Sequence, residues 1–310
     1  MDLREKLTIN PAKTAQKIED YLKGQVAELS RSGIAIGISG GLDSSTVCAL
    51  CAKAIGKEKI KGVILKEKQG NPDAEKYARL FAQSIGVETE TWDISEALKA
   101  LGVYRSVIAH IPTRTLREGI AAYATRLIAK SVGEHPFSHS LKGEDDKFLA
   151  QNKAVITAKQ RIRMVYLYKY ADENNLLVVG CAHKSEDYTG LFVKFGIDDA
   201  ADAMPLKDLY RTQILQLAEY LDVPQEILAR TPNPDVIPGV EDKYKDILGI
   251  AYEQVDLILC GLENKLDDQD IAMQARTDIQ RVAQIKALIE GSKHMREPCR
   301  YPRLQAGGRA

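Results

Sequence analysis

The segment Ser39-Gly40-Gly41-Leu42-Asp43-Ser44-Ser45 holds the residue types that grip a phosphate group. Glycines let the backbone approach a phosphate closely and turn successive N–H groups toward it. Ser44 and Ser45 add hydroxyl donors where a helix is expected to begin, and a helix dipole favours an anion at that end. Asp43 would by itself repel phosphate. A divalent cation between its carboxylate and the phosphate oxygens removes the conflict. A plain turn with a serine cap needs neither two serines nor the carboxylate, so the pattern points to phosphate chemistry. No G-K-[ST] follows the glycines, so this is not a Walker loop.

Such a loop belongs between a strand and a helix, and its flanks supply both. Ile34 to Ser39 is a short, near-continuous apolar run of the kind found in buried parallel strands, and a helix is expected from about Ser44 to Ile55. Upstream, Asn10 and Pro11 offer an N-cap and a first helical residue, with Ala15, Ile18, Leu22, Val26 and Leu29 at helical spacing. Ile60 to Lys66 and Glu88 to Ile94 are strand candidates around a helix opened by Asn71-Pro72 and closed by Gly86. This alternation argues for right-handed βαβ units and a parallel sheet in an α/β protein.

From Ser95 to about Ala150 the pattern weakens. A helix over Leu116 to Ser131 puts Leu116, Ile120, Tyr123 and Leu127 on one face, and Gly133 to Asp146 reads as an exposed loop. A long helix near Lys159 to Glu173, a fourth strand at Leu176 to Gly180, and helices at Thr212 to Leu221, Tyr252 to Leu262 and Asp267 to Glu290 are expected after it. The loop Thr231 to Gly239 is punctuated by prolines, and residues 299–310 read as a flexible tail.

Composition narrows the class. Of 310 residues, 45% are hydrophobic and 28% charged, which excludes disordered and fibrous chains. No apolar run approaches the roughly 20 residues that span a bilayer, and the polar start is no signal core, so a cytoplasmic protein without membrane attachment is expected. Forty-three basic residues balance 43 acidic ones, so no global field draws the chain to nucleic acid. Five scattered cysteines make no disulfide framework. Cys48 and Cys51 have C-x-x-C spacing but fall inside an apolar helix, which favours core packing. Cys181, at a strand's carboxyl end, is the better thiol candidate, and His135 with His139 would make a weak metal pair.

The loop resembles the S-G-G-x-D-S pyrophosphate loop of ATP pyrophosphatases. Those enzymes split ATP between the α and β phosphates and adenylate an acceptor oxygen. Further blocks narrow the resemblance: Lys159-Gln-Arg161-Ile-Arg163-Met164, Val179-Gly180-Cys181-Ala-His-Lys184-Ser185-Glu186, Thr189 to Gly196, Pro205 to Gln213, Pro232-Asn233-Pro-Asp235 and Leu248 to Asp256. In this order they are similar to the ammonia-dependent NAD synthetases, from about residue 10 to 298.

The resemblance implies a doubly wound parallel sheet flanked by helices, Rossmann-like, in one domain over residues 1–298, with 95–150 as an extended helical insertion. It implies ATP and Mg²⁺ as cofactors, with Asp43 and Glu186 as metal ligands. Catalytic roles fall to Asp43, Lys184 and Arg211, and nucleotide binding to Ser39, Gly40, Gly41, Ser44, Ser45, Cys181, Arg211 and Asn233. Arg161, Lys194, Asp198 and His294 match positions that meet the dinucleotide. The implied reaction adenylates a small-molecule carboxylate, nicotinic acid adenine dinucleotide, and lets ammonia displace AMP to give NAD. A homodimer is implied. The chain is expected to lack an amidohydrolase domain, so free ammonia or a separate ammonia-supplying partner would provide the nitrogen.

The sequence departs from the family mainly on the acceptor side. Cys181 stands where Thr is usual, Thr157 where Asn is usual, and His294-Met295-Arg296 where H-K-R is usual. The pattern K-Y-G-D-G-G-A-D becomes Lys194-Phe-Gly-Ile-Asp198-Asp199-Ala-Ala-Asp202, one residue longer and short of two glycines, so this loop must run differently. Two alternatives stay open here: drift within a true synthetase, or an adenylating enzyme acting on a different acid. A sulfur-transfer or tRNA-thiolating enzyme would share the loop but needs a reactive thiol or metal cluster. A nucleotide-binding regulator would not need both Asp43 and Glu186.

Overall fold

The alternating segments form a four-stranded parallel sheet with helices on both faces. The computed structural model describes residues 1–105, 110–111, 113–132, 135–143, 145–234, 237, 239–298 and 301–302. After α1 (Leu3–Lys6), α2 (Pro11–Glu28) leads into β1 (Gly33–Gly37). Then α3 (Leu42–Ile55), β2 (Ile60–Lys66), α4 (Pro72–Ile85) and β3 (Glu88–Asp93) complete a βαβαβ run. Four helices precede β4 (Leu176–Val179): α5 (Ser95–Ala100), α6 (Arg114–Val132), α7 (Pro136–Leu141) and α8 (Lys147–Asn174). Beyond it lie α9 (Lys184–Thr189), α10 (Arg211–Tyr220), α11 (Gln225–Leu228) and a π-helical turn at Lys243–Leu248. The chain then forms α12 (Tyr252–Glu263), α13 (Asp268–Ala275), α14 (Ile279–Gly291) and α15 (Lys293–Arg296).

Strand order is β3-β2-β1-β4. The chain steps outward from β1 to β3, then returns to add β4 on the other side of β1. That reversal opens a crevice at the carboxyl ends of β1 and β4, where open α/β sheets bind ligands. The two-residue period of the strands sorts side chains between two cores. Ile34 and Ile36 pack with Leu50, Phe81 and Leu217 of α3, α4 and α10. Ala35, Val63 and Val178 point the other way, onto Leu167, Tyr170 and Ala171 of α8. A further core joins Leu3 and Leu7 to α12, α13 and α14. No described helix is long and apolar enough to cross a membrane.

Departures from the expected elements have local causes. Part of the stretch expected as a loop is helix α7: the His135 ring accepts the Phe137 N–H at 3.1 Å, Pro136 sits at the first turn, and Phe137 and Leu141 pack one turn apart against the α12–α14 core. Gly133, Glu134 and Glu144 lie outside the described residues. Helix α8 begins at Lys147 rather than Lys159, because Asp146 caps it by accepting the Leu149 N–H at 2.8 Å. The single helix expected over Asp267 to Glu290 is two. Arg276 takes a left-handed conformation (φ 51°), and Asp278 restarts the chain by accepting the Arg281 N–H at 2.7 Å. Asp235 and, apart from Tyr301 and Pro302, the expected tail lie outside the described residues.

Candidate active site

Beyond β1 the phosphate loop turns into α3 through Gly40, at φ 73°. Any Cβ there would meet the Ala78 amide nitrogen and Tyr77 Cβ at 2.7 Å, so glycine is required for space as well as conformation. The loop is bonded to itself: the Ser39 and Ser44 hydroxyls lie 3.1 Å apart, the Gly41 N–H donates to Ser39 Oγ (3.3 Å), and Ser44 Oγ donates to the Gly41 carbonyl (3.2 Å). Arg230 donates to the Gly40 carbonyl and stacks on Tyr77, 4.3 Å from the ring centre.

Across the crevice, β4 ends and Gly180-Cys181-Ala182-His183 leads into α9. Asp43 from α3 and Glu186 from α9 therefore converge, with His183 between them. One ligand atom from each of the three lies within 4.8 Å of the others. His183 is fully buried, and neither ring nitrogen has a hydrogen-bond partner. Burial holds its pKa below the ordinary value, so the ring stays neutral and offers a lone pair. Two carboxylates and a neutral imidazole nitrogen fit a divalent cation; the oxygens suit Mg²⁺ and the nitrogen also suits Mn²⁺.

Internal cations answer these carboxylates. Arg211 Nη1 donates to both Asp43 oxygens at 3.0 and 3.1 Å, and Lys243 Nζ donates to Glu186 Oε1. Burial raises the Asp43 carboxyl pKa, but the charges of Arg211 and then Lys243 more than offset it, and the group is held below its ordinary range. Arg211 is placed by a buried relay: its N–H donates to Ser185 Oγ (3.0 Å), Ser185 donates to Asp256 Oδ1 (2.5 Å), and Asp256 Oδ2 accepts the Thr212 N–H (2.8 Å). Asp256 is wholly buried, and burial pushes its carboxyl up to about 6. Asp198 is likewise raised to about 6, by burial and then by the charge of Glu186.

Asp43, Glu186, Asp198, Arg211 and Lys243 border one cavity of about 710 Å³. Ser39, Gly41, Ser44, Cys181, Arg211 and Asn233 line it together with Asp43 and Glu186, and so do Arg161, Lys194, Asp198 and His294. Gly40 and Ser45 do not: Gly40 shapes the turn from behind, and Ser45 is fully buried. Lys184 also lies off the cavity wall. Its ammonium pairs with Asp208 (2.8 Å) and Glu263 (3.1 Å) over the Tyr210 ring, tying α9 to α12. Replacing Lys184 by Ala is therefore expected to lower Tm by about 2–4 °C and leave kcat/KM within about threefold, measured by thermal melt and initial rates.

The acceptor-side loop is shaped by its own contacts. Phe195 takes a left-handed conformation (φ 62°), steadied by its N–H donating to Asp199 Oδ2 at 2.9 Å. Lys194 Nζ donates to the His294 and Glu297 carbonyls (2.7 and 2.9 Å), and Arg161 donates to the Lys194 carbonyl at 3.3 Å. Together they pin α15 to the cavity rim. Met295 faces the cavity beside His294.

Sequence reasoning missed His183, Lys243 and Arg230. His183 sits inside a block that carried the resemblance, so its signal was available. One Lys and one Arg among 43 basic residues carry none. The thiols are not prepared for nucleophilic work: burial pushes Cys48 up to about 12 and Cys51 and Cys181 well above their ordinary value. Among the described residues, Asp43–His183–Glu186 is the one cluster of three or more such groups with converging ligand atoms, and neither His135 nor His139 belongs to it.

Comparison with known proteins agrees with this geometry. The family model described as NAD synthase matches residues 14–124 and 135–299. The NH3-dependent NAD+ synthetase of Coprothermobacter proteolyticus is 35% identical over 287 residues, 90% of this chain and 96% of the relative. That of Thermotoga maritima is 32% identical over 291 residues, 93% of this chain and 99% of the relative. In fold, the chain is similar to the NMN synthetase of Francisella tularensis, with a TM-score of 0.69 and 24% identity over 95% of this chain and 99% of that one. The phosphate loop at the sheet's switch point, the facing carboxylates and a match over most of the sequence lead to one assignment: the chain belongs to the NAD synthase family.

Proposed function

We propose that this chain uses ATP and ammonia to convert nicotinic acid adenine dinucleotide to NAD, releasing AMP and pyrophosphate. The observation that carries this reading is the pairing of the phosphate loop with Asp43 and Glu186 across one cavity, in a chain of this family. The Gly41 face of the loop is open to the cavity, so the Ser39 and Ser44 hydroxyls can exchange their mutual bonds for phosphate oxygens. Arg211 lies beside them to carry negative charge that spreads over the transferring group. Asp43 and Glu186, with His183, would hold a Mg²⁺ that neutralises the pyrophosphate as it leaves.

The acceptor carboxylate attacks the α-phosphorus, pyrophosphate departs, and ammonia then displaces AMP from the acyl adenylate. Asp198, raised to about 6, borders the same cavity and can take the proton that ammonium must lose. Burial of these groups limits water, which would otherwise hydrolyse the adenylate. Free ammonia is the nitrogen donor in this reading, and the cytoplasm, which holds ATP, is its site.

The test is AMP and pyrophosphate release from Mg-ATP and ammonium, with and without the dinucleotide acid. Stimulation with NAD formed supports the reading. No stimulation in a chain that still binds Mg-ATP overturns the acceptor and turns the search to other carboxylates.

We also assign α6 to a homodimer interface. It leaves Leu116, Ile120, Tyr123 and Leu127 each at least 40% exposed along one face, an apolar stripe that a second copy would cover. Tyr123→Glu is expected to convert a dimer to a monomer in light scattering after size exclusion. A wild-type monomer at micromolar concentration would overturn the assignment.

A further inference from the structure

Lys243, like Arg230, is a cation that neither the loop motif nor the family resemblance singled out, and its place on Glu186 has a consequence for how the site fills. It opens the π-helical turn at Lys243–Leu248, where its N–H donates to the Pro232 carbonyl (3.1 Å) beside Asn233. The turn is held by Asp242, whose Oδ1 accepts the Tyr244 and Lys245 N–H groups at 2.9 and 3.1 Å. Single π-helical turns recur at functional sites because the widened backbone re-aims a side chain. Here it sends a flexible, four-carbon ammonium into the cavity, with its side chain 10% exposed and its Nζ on Glu186 Oε1.

With Arg211 on Asp43 and Lys243 on Glu186, the two carboxylates of the cluster are already neutralised from inside the chain. A divalent cation added to this arrangement would face two positive charges at close range, an unfavourable state in a buried site. A nucleotide triphosphate brings the anionic oxygens that would let the internal cations leave their carboxylates. A lysine can make that move by rotating its stem, whereas the Arg211 backbone is anchored at the start of α10 by the Ser185–Asp256 relay and its guanidinium grips both Asp43 oxygens.

We propose that Lys243 is a placeholder cation: it occupies Glu186 in the ligand-free chain and passes to the triphosphate when the nucleotide's divalent cation takes its place. This rests on the reading that Asp43, His183 and Glu186 hold that cation. It makes metal and nucleotide binding mutually dependent, because metal alone must evict Lys243 with nothing to receive it. The site thus stays closed to free metal and fills with the metal–nucleotide complex.

The experiment is a titration of Mn²⁺ alone, followed by electron paramagnetic resonance, on the wild type, Lys243→Met, Lys243→Arg, and each combined with Glu186→Gln. Lys243→Met, which leaves Glu186 without its cation, is expected to bind Mn²⁺ about tenfold or more tightly than the wild type. Lys243→Arg keeps the charge and should stay near the wild type. In Lys243→Met the KM for Mg-ATP should also rise, since the triphosphate loses the ammonium. Mn²⁺ affinity that needs Glu186 but is the same with and without Lys243 overturns the placeholder. Mn²⁺ binding to Lys243→Met that is indifferent to Glu186→Gln overturns the metal assignment beneath it. Should Lys243→Met melt below the assay temperature, Lys243→Gln keeps a polar end for Glu186 and carries the same expectation.

Discussion

Asp43→Asn is expected to lower kcat/KM for ATP-dependent pyrophosphate release by about 10²–10³-fold while the chain stays folded. Asn keeps the shape of the side chain and an oxygen for Arg211, so the 3.0 Å contact survives in weakened form. What disappears is the negative charge. Arg211 then has no carboxylate partner, and the cluster with His183 and Glu186 loses its best oxygen ligand. The side chain is 20% exposed, so water at the cavity mouth limits the cost to the fold. Rates of AMP release, a Mn²⁺ titration in the presence of ATP and a thermal melt separate these effects. Near-normal rates with a normal melt would remove Asp43 from the chemistry; weak rates together with lost Mn²⁺ binding would place it at the metal.

The second large effect is expected at Gly40, and it falls first on stability. A side chain there must adopt a left-handed backbone and must also displace the Ala78 amide, Tyr77 Cβ and the Ala74 carbonyl, all within 2.8 Å of the new Cβ. Valine combines both problems, and Gly40→Val should cost roughly 2–5 kcal/mol, a drop in Tm of about 5–15 °C, and abolish turnover. Gly41→Ala is the control. Its Cβ would meet only Ser39 Oγ, at 3.3 Å, so the fold should lose under about 1 kcal/mol. The new methyl would nevertheless stand on the cavity wall where a phosphate must approach. We expect Gly41→Ala to keep its melt and raise the KM for ATP, and Gly40→Val to lose both. Equal melts for the two would show that the packing around Gly40 is not what holds the loop.

The two glycines show how unevenly function is written into a motif. Both were legible as parts of a phosphate loop, but their roles differ. Gly40 faces α4, so its requirement is set by Tyr77 and Ala78, residues nearly forty positions away in sequence. Gly41, at φ −87°, makes no use of glycine's conformational freedom and serves by leaving space. The same limit explains Lys184. The resemblance implied a catalytic role for it, yet Asp208, Glu263 and the Tyr210 ring hold the ammonium off the cavity wall.

The sheet, its parallel order and the loop at its switch point were readable because each depends on local signals: apolar runs of strand length, Asn-Pro and Gly boundaries, and glycines before a serine-rich helix start. Asp43 and Glu186 were readable through the blocks that carry them. Tertiary structure alone decided which cations meet those carboxylates, that His183 lies unpartnered between them, that α7 folds against α14, and that Lys194 holds α15. The physical reason is range. Helix and strand propensities act over a few residues, whereas an ion pair such as Lys243–Glu186 joins groups 57 positions apart and exists only because the fold brings them together out of water.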